Sequence, residues 1–200
     1  MNDDPRAVQF VGAGPGAADL LTVRAARMLA DAEVVLYPGS YLDAEVLAHC
    51  SPDAELVDTG DMDLDAIVAR LVEAHRAGHR VVRLVSGDPS VYSAVSEQTR
   101  RLDAAGVPWA ITPGVPAYAA AAARVGRELT VPLVAQSVVL TRTQQRSTAM
   151  PETEELTEEM LDMKYVEENV LTNTDRFLEK QLTGSFRTWQ GIETAAENKC

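Results

Sequence analysis

The stretch AVQFVGAGPGAADLLTV, residues 7–23, joins an apolar run to a helical pattern through a glycine-rich turn. Residues 7–14 are typical of a buried strand, because β-branched and aromatic side chains fill them and glycine ends them. Thr22 is typical of a helix N-cap, and apolar residues recur at helical spacing after it. A strand that leads through a glycine turn into a helix is typical of an α/β fold.

The same alternation continues along the chain. Helices are predicted from Leu64 to a stop at Gly78, over 91–105, and over an alanine-rich stretch that ends near Gly126. The remaining strands are predicted at 33–37, 54–60 and 135–142, within 80–90 where the strand runs into a turn, and within 108–116 where it runs into a Pro-Gly turn. Strands that alternate with helices predict a parallel or mostly parallel sheet, whose ligands bind at the carboxyl ends of the strands.

The first glycine turn lies at such an end. Gly12, Gly14 and Ala17 satisfy the loose dinucleotide pattern G-x-G-x-x-[GA]. No acid closes the second strand to bind a ribose, and Pro15 has no N–H to offer a phosphate. No Gly-Lys-Ser/Thr follows either, so this is not a P-loop. The turn lets a ligand approach the backbone without being built for phosphate, or it is a strained turn that packs on the sheet.

Two further turns share this position. In VSGDPSVY, 85–92, Asp88 either accepts hydrogen bonds from ribose hydroxyls or faces a cation, or it forms an Asx turn or a helix N-cap. TPGVPAYAAAA, 112–122, combines a rigid turn with small residues, or acts as a hinge into a close-packed helix. S-adenosylmethionine suits all three turns, since it carries an adenosine and a sulfonium but no phosphate.

Composition limits the class of protein. The net charge is −12 and no basic run is present, which argues against nucleic acid and membrane-surface partners. No apolar run reaches membrane-spanning length, and the acidic opening is unlike a signal peptide, so we expect a cytoplasmic protein. Cys50 and Cys200 form no disulfide framework. His49, His75 and His79 have no ligand spacing, so we expect no metal.

A change in composition falls near residue 150. Residues 1–150 contain 13 arginines and no lysine, whereas 151–200 contain three lysines and two arginines. Such a shift is typical of a linker and a new module.

Four ordered motifs resemble the tetrapyrrole (corrin/porphyrin) methyltransferases. The resemblance covers about residues 7–155, and the segment 126–152 indicates the branch that methylates C-11 of the macrocycle. The motifs are VGAGPGAADLLTVRAARMLADAEVVLY (11–37), LVSGDPSVYSAVSEQ (84–98), TPGVPAYAAAAA (112–123) and ELTVPLVAQSVVLTR (128–142).

The resemblance implies two α/β lobes with S-adenosylmethionine in the cleft between them. It implies methyl transfer to a precorrin in cobalamin biosynthesis, usually by a homodimer. We expect no general base, because the sulfonium is already an activated methyl donor. Carried over residue by residue, the cofactor-binding positions are Gly14, Pro15, Gly16, Gly87, Asp88, Val91, Pro116 and Ala117.

The resemblance also implies a domain organisation. Residues 1–112 are expected to form the first lobe, residues 113–150 the start of a second, and residues 151–200 an acidic tail unlike the family. The tail is predicted to be helical or poorly ordered. Apolar residues at helical spacing favour a helix, namely Met160, Met163, Val166, Val170, Phe177, Leu178 and Leu182. It is either a fusion, a misassembled end or a divergent lobe.

An incomplete second lobe would slow methyl transfer. Two alternatives stay open: another tetrapyrrole-type methyltransferase, and a non-catalytic binding or interaction module.

Overall fold

The computed structural model describes residues 6–39, 42–132, 136, 138–141 and 170–172. By proximity the chain divides into two compact units, Met1–Ala117 and Tyr118–Cys200. The lobes expected at 1–112 and 113–150 stay predictions.

A five-stranded parallel sheet forms the centre of the first unit. The strands lie in the order β3-β2-β4-β1-β5, so β1 pairs with both β4 and β5. They are β1, Val8–Gly12; β2, Val34–Tyr37; β3, Glu55–Asp58; β4, Val81–Val85; and β5, Trp109–Thr112. This arrangement confirms the α/β fold and the parallel sheet predicted from the sequence.

Helices follow the strands along the chain. Thr22 Oγ1 accepts a hydrogen bond from the Ala25 N–H at 3.1 Å, which confirms the predicted N-cap. The helices are α1, Val23–Asp31; α2, Ala44–Leu47; α3, Leu64–Arg76; and α4, Val95–Ala104, with a 3₁₀ turn at Ala18–Leu20.

Apolar side chains cover both faces of the sheet. On one face Phe10 and Leu36 pack with Leu71 of α3 and Leu102 of α4. On the other face the sheet packs against α1 and α2, with Leu29 in the core. Burial on both faces is why β1, β2 and β4 are nearly continuous apolar runs rather than alternating patterns.

The second unit contributes one helix and a strand pair to the described residues. The helix α5, Ala117–Val125, begins on the last residue of the first unit. The strand β6, Val139–Thr141, pairs in parallel with β7, Val170–Thr172.

Two predicted elements differ from the structure. The helix predicted over 91–105 begins at Val95, because Tyr92 and Ala94 adopt left-handed φ values that a helix excludes. The described part of the sixth strand begins at Val139 rather than at 135.

The helical prediction for the tail is wrong at Val170. This residue pairs with Val139 in a strand, so partner-strand hydrogen bonding prevails over its helical spacing there. The other tail residues of that pattern lie outside the described residues. Across the parts of the chain that the structure describes, none of the helices has the length and apolar character needed to cross a bilayer.

Candidate functional site

The turns after β1 and β4 are joined directly. The Gly14 N–H donates to the Gly87 carbonyl at 3.2 Å, and the Gly87 N–H donates to the Gly14 carbonyl at 2.8 Å. Gly14 has φ +75° and Gly87 has φ +65°, values that L side chains rarely adopt. The two turns are therefore held together through backbone that favours glycine.

The turn after β5 reaches the same point by close packing. A Cβ on Gly114 would lie 2.2 Å from the Gly87 carbonyl oxygen, and one on Gly12 would lie 2.5 Å from the Gly114 Cα. Because β4, β1 and β5 are adjacent in the sheet, their carboxyl ends bring all three turns to one edge. The sequence predicted that these turns lie at the carboxyl ends of their strands, and the structure confirms that position.

Asp88 ties the second turn to the third. Its Oδ1 accepts hydrogen bonds from the Ser90 N–H at 2.8 Å and from the Ser90 hydroxyl, and its Oδ2 accepts from the Gly114 N–H at 2.8 Å. Burial favours a higher pKa for this carboxyl, but these three hydrogen bonds outweigh burial and lower the pKa below its ordinary value. Asp88 is thus an ionised clamp between two turns at neutral pH.

The hydrogen bonds of Asp88 distinguish the two structural alternatives for this residue, an Asx turn and a helix N-cap. The bond from the Ser90 N–H makes Asp88 an Asx turn. The alternative of a helix N-cap is wrong, because the residue at the N-cap of α4 is Ala94.

The remaining predicted cofactor positions lie around these turns. The Val91 N–H donates to the Asp88 carbonyl at 3.1 Å. A Cβ on Gly87 would lie 3.8 Å from the Cα of Pro116 and 3.7 Å from the N of Ala117. In the first turn Pro15 is buried, and Gly16, half-buried, has φ +119°. The structure therefore brings the eight predicted positions to one edge of the sheet, while their contact with a ligand stays a prediction.

A cavity of about 740 Å³ opens beside Asp88. Its volume is in the range of sites for small organic ligands. Asp88 is the one predicted cofactor position in its wall, and hydroxyl groups supply much of the polar lining. The lining residues are Asp88, Pro89, Ser90, Tyr92, Ser93, Ala94, Val95, Ser96, Ile111 and Pro113. Tyr92 lines the cavity and is 41% exposed, rather than belonging to the core.

Sequence reasoning missed two features of the site. The sequence places Gly114 in a turn, and its position two residues after the end of β5 is an indication that it belongs to the site. Arg83 interrupts an otherwise apolar strand, and a charged residue in a buried strand indicates a specific polar partner.

The three histidines take no part in the site. Within the described ranges, no three His, Cys, Asp or Glu side chains are grouped so that they could hold a metal ion. Independence from metal stays a prediction.

Together these features define an α/β protein whose small-residue turns meet at the carboxyl ends of parallel strands, where folds of this class bind ligands. Residues 7–170 match the family model of the Tetrapyrrole (Corrin/Porphyrin) Methylases, and the chain belongs to that family.

Relatives similar in sequence support this family assignment. The chain is 60% identical over 149 residues to the precorrin-4 C(11)-methyltransferase of Rhodococcus erythropolis, a match that covers 74% of this chain and 60% of the relative. It therefore spans less than two thirds of that relative's length. These findings confirm the resemblance to the family and, within it, to precorrin-4 C-11 methyltransferases.

Solved structures also support this family assignment. The X-ray structure of a cobalt precorrin-4 methyltransferase, a cobalamin biosynthetic enzyme, superposes with a TM-score of 0.78 at 34% identity, covering 95% of this chain and 77% of that one. A uroporphyrin-III C-methyltransferase from Thermus thermophilus, complexed with S-adenosylhomocysteine, gives a TM-score of 0.60 at 34% identity, covering 73% of this chain and 59% of that one.

Proposed function

We propose that this chain binds S-adenosylmethionine at its three turns and transfers the methyl group to C-11 of precorrin-4 or of cobalt-precorrin-4. The observation that carries the proposal is the convergence of Gly14, Gly87 and Gly114, clamped by Asp88, in a member of this family. The related uroporphyrin-III C-methyltransferase was solved with S-adenosylhomocysteine, which is what the cofactor becomes after transfer.

The residues present fit this cofactor. Glycine at positions 14 and 87 keeps side chains away from the backbone, so a ligand can approach it closely. Pro15 removes an N–H that a phosphate would use, and S-adenosylmethionine has no phosphate. We assign cofactor contact to the positions that the sequence named: Gly14, Pro15, Gly16, Gly87, Asp88, Val91, Pro116 and Ala117.

The reaction asks little acid–base chemistry of the protein. When bound, S-adenosylmethionine would supply an already activated methyl group for in-line displacement by the substrate carbon. Asp88 keeps the turns aligned for this in-line displacement, and the buried backbone around Gly14 and Gly87 keeps water away. We assign no general base.

The experiment incubates the chain with S-adenosylmethionine and either precorrin-4 or cobalt-precorrin-4. We expect a product heavier by one methyl group, which NMR locates at C-11, and the faster substrate identifies the physiological form. A methyl group elsewhere would favour another tetrapyrrole methyltransferase. Cofactor binding without transfer would favour a non-catalytic binding module.

A homodimer is also proposed, and sedimentation of the purified chain tests it.

A further inference from the structure

Arg83 is a buried cation with neutral partners. It is 8% exposed in the middle of β4, and burial lowers its pKa to about 10, so it stays charged at neutral pH. In the described part of the chain no carboxylate forms an ion pair with it. Its Nη1 donates to Thr59 Oγ1 at 3.0 Å, and its Nε donates to Gln98 Oε1 at 3.4 Å. The guanidinium is thus used to orient two neutral side chains.

Arg83 fixes which way the Gln98 amide faces. A guanidinium only donates hydrogen bonds, so the Gln98 oxygen must face Arg83 and its nitrogen must face away. That nitrogen donates to the carbonyls of Ser93 at 3.5 Å and Ala94 at 3.4 Å. Gln98 is 3% exposed, so water cannot replace these contacts.

The turn that receives these bonds is strained. Tyr92 has φ 50° and Ala94 has φ 53°, and neither is glycine. Such backbone persists only where its surroundings hold it. Two side chains that hold it are the Ser93 hydroxyl, which donates to the Pro89 carbonyl, and the Gln98 amide. Residues 92–94 also line the cavity beside Asp88.

We propose that Arg83 and Gln98 are positioning residues that hold the turn 92–94 in its left-handed conformation and so shape the cavity wall. Neither residue lines the cavity, so each acts through the turn. The consequence for cofactor affinity rests on the proposed function, whereas the consequence for the turn does not.

The decisive variant is Gln98→Glu. Its carboxylate still accepts from Arg83, which satisfies the buried cation, but it presents an acceptor instead of a donor to the carbonyls of Ser93 and Ala94. We expect the backbone amides of residues 91–95 to exchange with deuterium about tenfold faster than in the wild type. The Tm should be no lower than that of a control variant. Gln9→Glu is that control, because it makes the same change in β1.

A second substitution distinguishes a positioning role from a general loss of stability. Ala94→Gly removes the cost of the left-handed φ at that position, so adding it to Gln98→Glu should restore slow exchange. Arg83→Lys is a second route if Gln98→Glu does not fold. A single ammonium cannot donate to Thr59 and Gln98 as the guanidinium does, so exchange at 91–95 should again accelerate. Unchanged exchange at 91–95 in the variant that folds would overturn the proposal.

S-adenosylhomocysteine binding tests whether the turn 92–94 affects the cofactor site. We expect Gln98→Glu to weaken S-adenosylhomocysteine binding about tenfold and the double variant to recover it. Faster exchange with unchanged affinity would overturn the claim that the turn shapes the cofactor site. A wild-type chain that does not bind S-adenosylhomocysteine would instead count against the proposed function, and the exchange data would still decide the role of Arg83 and Gln98.

Discussion

Gly114 is a glycine because of its neighbours. A Cβ there would lie 2.2 Å from the Gly87 carbonyl oxygen, so Gly114→Ala must push two turns apart. We expect it to lower the free energy of unfolding by about 2–3 kcal/mol. Gly106→Ala is the control: Gly106 has φ +68° with nothing within 4 Å of its Cβ position, so only backbone strain of about 1 kcal/mol is expected. Urea denaturation compares the two, and equal losses would contradict the packing argument.

Asp88 should make stability depend on pH in a definite direction. Its folded pKa is lowered, so its contribution is present above the unfolded pKa and is lost as the pH falls through the folded value. Asp88→Asn replaces one acceptor oxygen with a donor and should cost about 1 kcal/mol at neutral pH. The Tm difference between the two proteins should then shrink below about pH 4. A Tm difference that stays constant down to the most acidic folded sample would refute this role.

At the scale of the element, α1 depends on its cap. Thr22 Oγ1 satisfies the Ala25 N–H, so Thr22→Ala should lower the free energy of unfolding by about 1 kcal/mol. Thr22→Ser keeps the hydroxyl and should recover most of that loss. Thermal denaturation tests both, and equal loss in the two variants would show that the methyl group of Thr22 matters rather than its hydroxyl.

The elements also show how far the sequence could be interpreted. The five strands of the sheet and helices α1 and α3 were predicted, because local apolar periodicity and capping residues determine them. The start of α4 was missed, because the left-handed φ values of Tyr92 and Ala94 depend on Gln98 and, through it, on Arg83. The position of the glycine turns at strand ends could be predicted from the sequence, but the adjacency of β4, β1 and β5 that brings the turns together could not. The clamp from Asp88 to Gly114 could not, because it joins residues 26 apart in the chain.

At the scale of the whole molecule, the site belongs to the first unit. The glycine turns, Asp88 and the cavity all fall within Met1–Ala117, the unit that contains the five-stranded sheet and both of its apolar clusters. The chain spans 60% of the length of its relative from Rhodococcus erythropolis, so activity has to be measured on this chain itself. Cofactor binding by the first unit is the property on which the proposed function depends.

Calorimetric titration with S-adenosylhomocysteine tests that property directly, with Gly87→Val and Gly106→Val beside the wild type. Gly87 and Gly106 have φ of +65° and +68°, and neither has a heavy atom within 3.4 Å of its Cβ position, so both variants carry similar backbone strain. We predict saturable binding to the wild type, affinity retained in Gly106→Val, and a loss of at least about tenfold in Gly87→Val. No binding to the wild type, or equal affinity in all three proteins, would contradict the assignment of the glycine turns as the cofactor site.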